Sequence, residues 1–288
     1  MPSFDQLSDG LVDGVLLGII YTVAALGLTL IFGVMRVVNL AHGALITVGM
    51  FAVFVLSHDV GLPVYVAAAM AAVGGFALGC GIYWIGVHRL LGKPELTTLL
   101  ATFAISIMLI GIGTAIFSTT PRNIDVGLGS LDVGSVRVQG SKLVAAAISL
   151  GLIAALYVFL YRTTPGKKIQ AVADNRAAAE LVGIPSARML AIAFGVGTCL
   201  AAAAGALIAT LFPFTVLRGG VYELRSFVIV VLGGLGNVTG ALVGGLILGL
   251  IEGLVPLFLA ATWTPVIEFG VFVLVLLVRP QGLLARAD

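Results

Sequence analysis

Charge is what this sequence has least of. Of its 288 residues only 10 % are Asp, Glu, Lys or Arg, against about a quarter in a soluble domain. Sixty per cent are hydrophobic and the mean hydropathy is +1.19. This excludes a soluble globular fold and implies an integral membrane protein of many helices. The net charge of +2 carries no message about nucleic acid. Cysteine is scarce too. Cys80 and Cys199 both fall inside apolar runs, which excludes a disulfide framework or a metal site and leaves two small buried hydrophobes. Also lacking is a polar segment long enough for a catalytic domain. There is no Walker A pattern, no H-E-x-x-H and no G-x-S-x-G, and the pairs Gly233-Gly234 and Gly244-Gly245 sit in apolar context, unsuited to cradling phosphate. No catalytic residue and no metal ligand is therefore expected. The N-terminus carries Asp5, Asp9 and Asp13 rather than basic residues, which speaks against a cleaved signal peptide.

What is abundant is small and apolar. Thirty-eight glycines and long alanine runs favour helices packed closely through small residues. Runs near the ~20 residues that a bilayer requires occur at about 11–33, 37–56, 62–88, 96–118, 142–161 and 187–212. A longer run at 226–260 is broken near Gly233-Gly234-Leu-Gly236-Asn237, and a last one covers 263–279. The expectation is an all-α polytopic membrane protein, one domain over 1–288, with about eight transmembrane helices. A short re-entrant or broken helix at 224–236 would add to these, its irregular backbone sheltered by protein or a water-filled cavity.

The one sizeable polar interruption, 162–188, holds Arg162, Lys167, Lys168, Arg176 and Arg188 against Asp174 and Glu180. The bias of basic residues places it on the cytoplasmic side, together with Arg36, His88, Arg89, Lys93, Arg279 and Arg286. The acidic N-terminus then lies outside, although Arg218 and Arg225 fall on the wrong side. Two short helices are predicted in this loop. The first has Thr164 as cap and Pro165 at its first position; the second is capped by Asp174 or Asn175 and ends at Gly183. Ser186 is expected to cap the next span.

A few polar residues interrupt the spans. Glu252 lies mid-run and must face the protein interior, whereas Glu268 is read as an anchor near the end of its run. Asn39 and His42 are placed at the inner boundary, as a gate or as a helix start. Asn39…Gly43-Ala44-Leu45 and Asn237…Gly240-Ala241-Leu242 are loosely alike, as if each began a helix rising from the inner face. Phe212-Pro213-Phe214 reads as an anchor and bend. The candidate path or gate residues are Asn39, His42, Gly233, Gly234, Gly236, Asn237 and Glu252, with Glu252 and the glycine break expected to share one polar seam.

Several landmarks resemble the permease subunits of branched-chain amino acid ABC importers. They are Gly27-Leu-Thr-Leu-Ile-Phe-Gly33-Val-Met-Arg36-Val-Val-Asn39-Leu-Ala-His42-Gly43, the stretch from Pro165-Gly166 through Asp174-Asn175-Arg176 to Glu180-Leu-Val-Gly183, Val230 through Gly233-Gly234-Leu-Gly236-Asn237 to Gly240, and the ending Arg-Pro-Gln-Gly282. They cover nearly the whole chain in order. The segment Ala177-Ala178-Ala179-Glu180-Leu-Val-Gly183 is similar to the Glu-Ala-Ala…Gly motif of such permeases, with Ala177 in place of the leading Glu. The resemblance implies that Asp174, Asn175, Arg176, Ala177, Ala178, Ala179, Glu180 and Gly183 couple the chain to an ATPase. It further implies a second homologous permease, two cytoplasmic ATPase subunits, a periplasmic substrate-binding protein and a bacterial inner membrane with its lipid. Nucleic acid is not among the partners. No cofactor would be bound by this chain, ATP and Mg²⁺ belonging to the partner subunits. Leucine, isoleucine or valine, or a similar small amide, would be the substrate. The competing expectation is an ion-coupled carrier or channel, which usually needs intramembrane charges for its coupling ion.

Overall fold

The computed structural model of the chain describes residues 3–133 and 136–284; Arg286 lies outside them. The order is α1 (Phe4–Met35), α2 (His42–Phe54, continued as a π turn to Asp59), α3 (Val64–Ile85), α4 (Glu95–Phe117), a hairpin of β1 (Ser130–Val133) and β2 (Val136–Gln139), α5 (Gly140–Arg162), α6 (Thr164–Asp174), α7 (Arg176–Leu181), α8 (Ser186–Ala209), α9 (Gly219–Gly233), α10 (Val238–Phe258) and α11 (Thr264–Val278). Eight helices among the described residues are long and apolar enough to cross a membrane: α1 to α5, α8, α10 and α11, with short extensions of α2, α3 and α11. The protein is an all-α, multi-pass membrane protein.

The bundle is organised around α1 and α8, which are buried on nearly every side, while α4 and α11 are the most exposed. α1 starts at a capping box, Ser3 and Gln6 each accepting the other's backbone N–H. Its apolar length packs antiparallel to α10 through glycines. Gly10, Gly14 and Gly18 face Gly253, Gly249 and Gly245, and a Cβ on Gly14 would come within 2.8 Å of the Gly249 carbonyl oxygen. Side chains cannot fit there, so the two backbones touch.

The contacts define two faces. On one, Arg137 N–H donates to Asp9, Lys142 pairs with Asp13 at 2.9 Å, and Arg122 and Phe214 exchange backbone hydrogen bonds of 2.8 and 2.9 Å. Phe214 packs between Phe51 and Phe54 there, so the expected anchor is a buried one within the fold. On the opposite, basic face, Gly33 meets Gly236, and α6 and α7 pack on the ends of α1, α3 and α8 through Ile31, Tyr83, Ile169, Ala179 and Leu190.

Two elements depart from the sequence reading. The short helix begins at Gly219 rather than near 224, and its 15 residues extend about 22 Å, short of the ~30 Å hydrocarbon core. α2 does not rise from the basic face. His42, its first residue, is fully buried with Nε2 2.8 Å from the Ala24 carbonyl of α1. Ala24 lies roughly 16 Å along α1 from its end at Met35. Residues 36–41 therefore fold back into the bundle, and α2 starts at mid-depth. α10 starts at the basic face, so the likeness of the Asn39 and Asn237 segments does not extend to their placement.

Candidate functional sites: the polar loop, the half-helix crossing and the buried ion cluster

The loop forms a compact helical hairpin. Thr163, not Thr164, caps α6 by accepting the Gly166 N–H at 3.2 Å, with Pro165 in the first turn. Buried Ile169 and Val172 anchor α6 to the bundle, and the Gln170 amide donates to the Leu160 carbonyl. Asp174 is the last residue of α6, and Asn175 caps α7 through a 3.0 Å bond from Ala178 N–H. Arg176 Nε pairs with Glu180 Oε1 at 3.1 Å, and the Ser186 hydroxyl donates to the same oxygen at 2.5 Å. Ser186 thus does not cap α8, which has no side-chain cap; it ties the end of the hairpin to the span. The hydroxyl and then the guanidinium hold the Glu180 carboxyl below the usual carboxylate range. Gly183 has φ +82° with nothing within 4 Å of a Cβ placed on it, so glycine is required there by backbone conformation alone. Ala179 faces the bundle, whereas Ala177 and Ala178 are exposed. Beside them Leu181 and Val182 are 89 % and 76 % exposed. Sequence reasoning missed these two. Their signal is a pair of apolar residues in front of a glycine inside an otherwise polar segment.

At mid-depth, the first turns of α2 and α9 cross. A Cβ on Gly43 would come within 2.5 Å of the Gly219 carbonyl oxygen and 2.7 Å of Glu223 Oε2, and the Gly43 N–H faces the Glu223 carboxylate. Asn39 does not cap α2; its Oδ1 accepts the Ala41 N–H at 3.1 Å, and Ala41 occupies the cap position with no side-chain bond. Asn39 and His42 are deep in the bundle rather than at its boundary, with Asn39 Nδ2 and His42 Nδ1 buried and without partners. Glu223 was missed because it lies between Arg218 and Arg225, in a stretch (213–225) placed outside the membrane.

The glycine break is a turn at the basic face. Gly233 packs against Gly240, and Gly234 and Gly236 take φ +98° and +81°. Asn237 caps α10 by accepting the Gly240 N–H at 3.0 Å and donates to the Leu284 carbonyl at 2.6 Å. Gly236 lines a pocket of about 470 Å³ together with Arg36, Glu95 and Leu235.

Glu252 belongs elsewhere, toward the far end of α10. Arg225 of α9 reaches it at 3.1 Å, reaches Glu268 of α11 at 3.6 Å and donates to the Tyr21 hydroxyl at 2.9 Å. The guanidinium also lies 5.1 Å from the Tyr21 ring centre. Three expectations are corrected here. Glu268 is buried rather than a boundary anchor; Arg225 is the interior partner of two carboxylates rather than a basic residue on the outer side; and Glu252 shares no seam with the glycine break, because about 18 Å of α10 separates Gly240 from Glu252.

The family model for the permease component of branched-chain amino acid transport systems matches residues 10–276. The chain belongs to that family. It is 30 % identical over 303 residues to the high-affinity branched-chain amino acid transport system permease protein LivH of Escherichia coli K12, covering 96 % of this chain and 94 % of that one. It is 29 % identical to BraD of Pseudomonas aeruginosa, covering 100 % and 99 %. It is 26 % identical to LivM of Escherichia coli K12, covering 97 % and 71 %. No solved structure matches. The permease thus carries three separated polar features: an exposed hairpin on its basic face, a crossing of two half-helices at mid-depth, and an ion cluster between α1, α9, α10 and α11.

Proposed function

We propose that this chain is one of two homologous permease subunits in a bacterial ABC importer. It would pass leucine, isoleucine, valine or a related small amide across the inner membrane, with a periplasmic protein delivering the substrate. The observation that carries the coupling is the α6–α7 hairpin. It is fixed to the bundle by Ile169, Val172 and Ala179 and held closed by Arg176, Glu180 and Ser186. It presents Ala177, Ala178, Leu181 and Val182 outward. A small apolar knob on a rigid helix fits a groove on a soluble partner, and two ATPase subunits binding ATP and Mg²⁺ would supply that groove from the cytoplasm. The N-terminus would then be periplasmic. An ion-coupled carrier would draw on the Arg225–Glu252–Glu268 cluster, but there a single guanidinium already engages both carboxylates.

The test is purification of the tagged chain from its native membrane. Two ATPases and a second permease should accompany it, and ATP hydrolysis should rise when the binding protein and leucine are added. A chain that purifies alone and moves leucine in liposomes without ATP is a carrier, and the importer reading falls.

A further inference from the structure

At the crossing, two helices begin in the interior of a membrane bundle and neither is capped by the side chain of its own cap residue. Ala41 and Arg218 occupy the two cap positions without such a bond. Helix N-termini carry partial positive charge, roughly half a unit each, and leave N–H groups free. Asn39 Nδ2 and His42 Nδ1, both fully buried, add two more groups without partners at the start of α2. Against this positive end stands Glu223, half-buried, with its carboxylate facing Gly43. No ion pair to Glu223 occurs among the described residues. Arg225 is held by Glu252 and Glu268, and Arg218 is hydrogen-bonded to Tyr222. The crossing therefore holds a carboxylate that accepts the Gly43 N–H and has no ion pair among the described residues, beside the unpartnered Asn39 Nδ2.

Next to it opens a cavity of about 530 Å³, almost wholly apolar and walled by α2, α3 and α4. Its lining includes Ala44 and Thr47 from the first turns of α2, and Val216 just before α9. A site with donors and an acceptor at one end and a hydrocarbon cavity at the other matches a zwitterion bearing an aliphatic side chain. Broken helices meeting at mid-depth are a general way of presenting such groups inside a bilayer.

We propose that this crossing binds the substrate during passage, Glu223 taking the α-ammonium group and the α2–α3–α4 cavity taking the branched side chain. Asn39 Nδ2, buried and without a partner at the start of α2, donates to the substrate carboxylate. The inference rests on the chain being an amino-acid permease, and not on how the transport is driven.

The test uses the intact permease with whatever subunits purify with it, in a Cys80→Ser, Cys199→Ser background. Gly74 lines the cavity, and a side chain there meets nothing within 4 Å, so Gly74→Cys places a thiol in the cavity without crowding. Millimolar leucine should slow its alkylation by N-ethylmaleimide roughly tenfold, while 4-methylpentanoate, which keeps the side chain but lacks the ammonium, should not. Glu223→Gln keeps an acceptor for the Gly43 N–H and removes only the charge, so it should abolish the protection; Glu223→Asp should restore part of it. Equal alkylation rates with and without leucine overturn the site. Full protection in Glu223→Gln, or equal protection by 4-methylpentanoate, overturns the role of Glu223. Leucine protection in a chain that purifies without ATPases leaves the site standing and removes the importer.

Discussion

A guanidinium between two carboxylates, shielded by Tyr21 and Tyr222, is the most consequential residue-level arrangement away from the substrate cavity. Breaking a buried pair by removing one partner costs about 3–5 kcal/mol, because the remaining charge is left uncompensated. Arg225→Met strands two carboxylates at once and should be the most damaging change in the cluster. Glu252→Leu leaves Arg225 with Glu268 and should cost about 1–3 kcal/mol; Glu252→Gln, which keeps a polar partner, should cost less still. Thermal unfolding of the detergent-solubilised protein should rank them wild type, Gln, Leu, Met, and a Met variant as stable as wild type would dismiss the cluster as incidental. Only Glu252 of this group was legible in the sequence, as a charge deep inside an apolar run. Hydropathy reports depth only along segments that cross. Arg225 sits on a helix that begins at mid-depth, so its place in the sequence looked like the outer surface. Glu268 sits near the start of a short run, so its burial by neighbouring helices left no trace in its own segment.

Among the elements, the α6–α7 hairpin was readable almost to the residue because local chemistry decides it. Proline near the start of α6, Asn175 as a cap and Gly183 as a left-handed stop each act through the few bonds around them. The half-helices were not readable, because nothing local distinguishes a helix starting at the bilayer surface from one starting inside. That difference lies in tertiary contacts such as His42 with Ala24 and Gly43 with Gly219. Gly183 gives the hairpin its own test. Open space surrounds it, so Gly183→Val meets no clash, and its effect comes from the backbone, at roughly 1–2 kcal/mol for a left-handed L residue. The variant should insert and assemble normally. Without that turn the exposed pair Leu181–Val182 is no longer held in place, and leucine-stimulated ATP hydrolysis and uptake should fall together. Normal values of both in the reconstituted complex would show that the hairpin tip plays no part in coupling.

For the molecule as a whole, the two faces carry a prediction of which way the permease sits. Arg36, Arg89, Lys93, Arg279 and the cations of the α6–α7 hairpin gather on one face, and the acidic N-terminus sits on the other. On that other face Lys142 is neutralised by Asp13, and the Arg137 guanidinium donates to the Ser130 hydroxyl. Arg225, which looked like a violation of charge bias, is neutralised inside the bundle and carries no weight in orientation. The bias that remains is stronger than a plain count of Lys and Arg along the sequence suggested, and under the proposed function the basic face is the cytoplasmic one. Ser130 and Lys168 are exposed on opposite faces, so each can report on orientation as a single cysteine in the Cys80→Ser, Cys199→Ser background. In intact cells an impermeant maleimide should label Ser130→Cys and reach Lys168→Cys only after permeabilisation. The reverse pattern would put the hairpin outside, out of reach of any ATPase. The half-helix crossing would keep its chemistry in that case, because its depth is set by contacts within the chain.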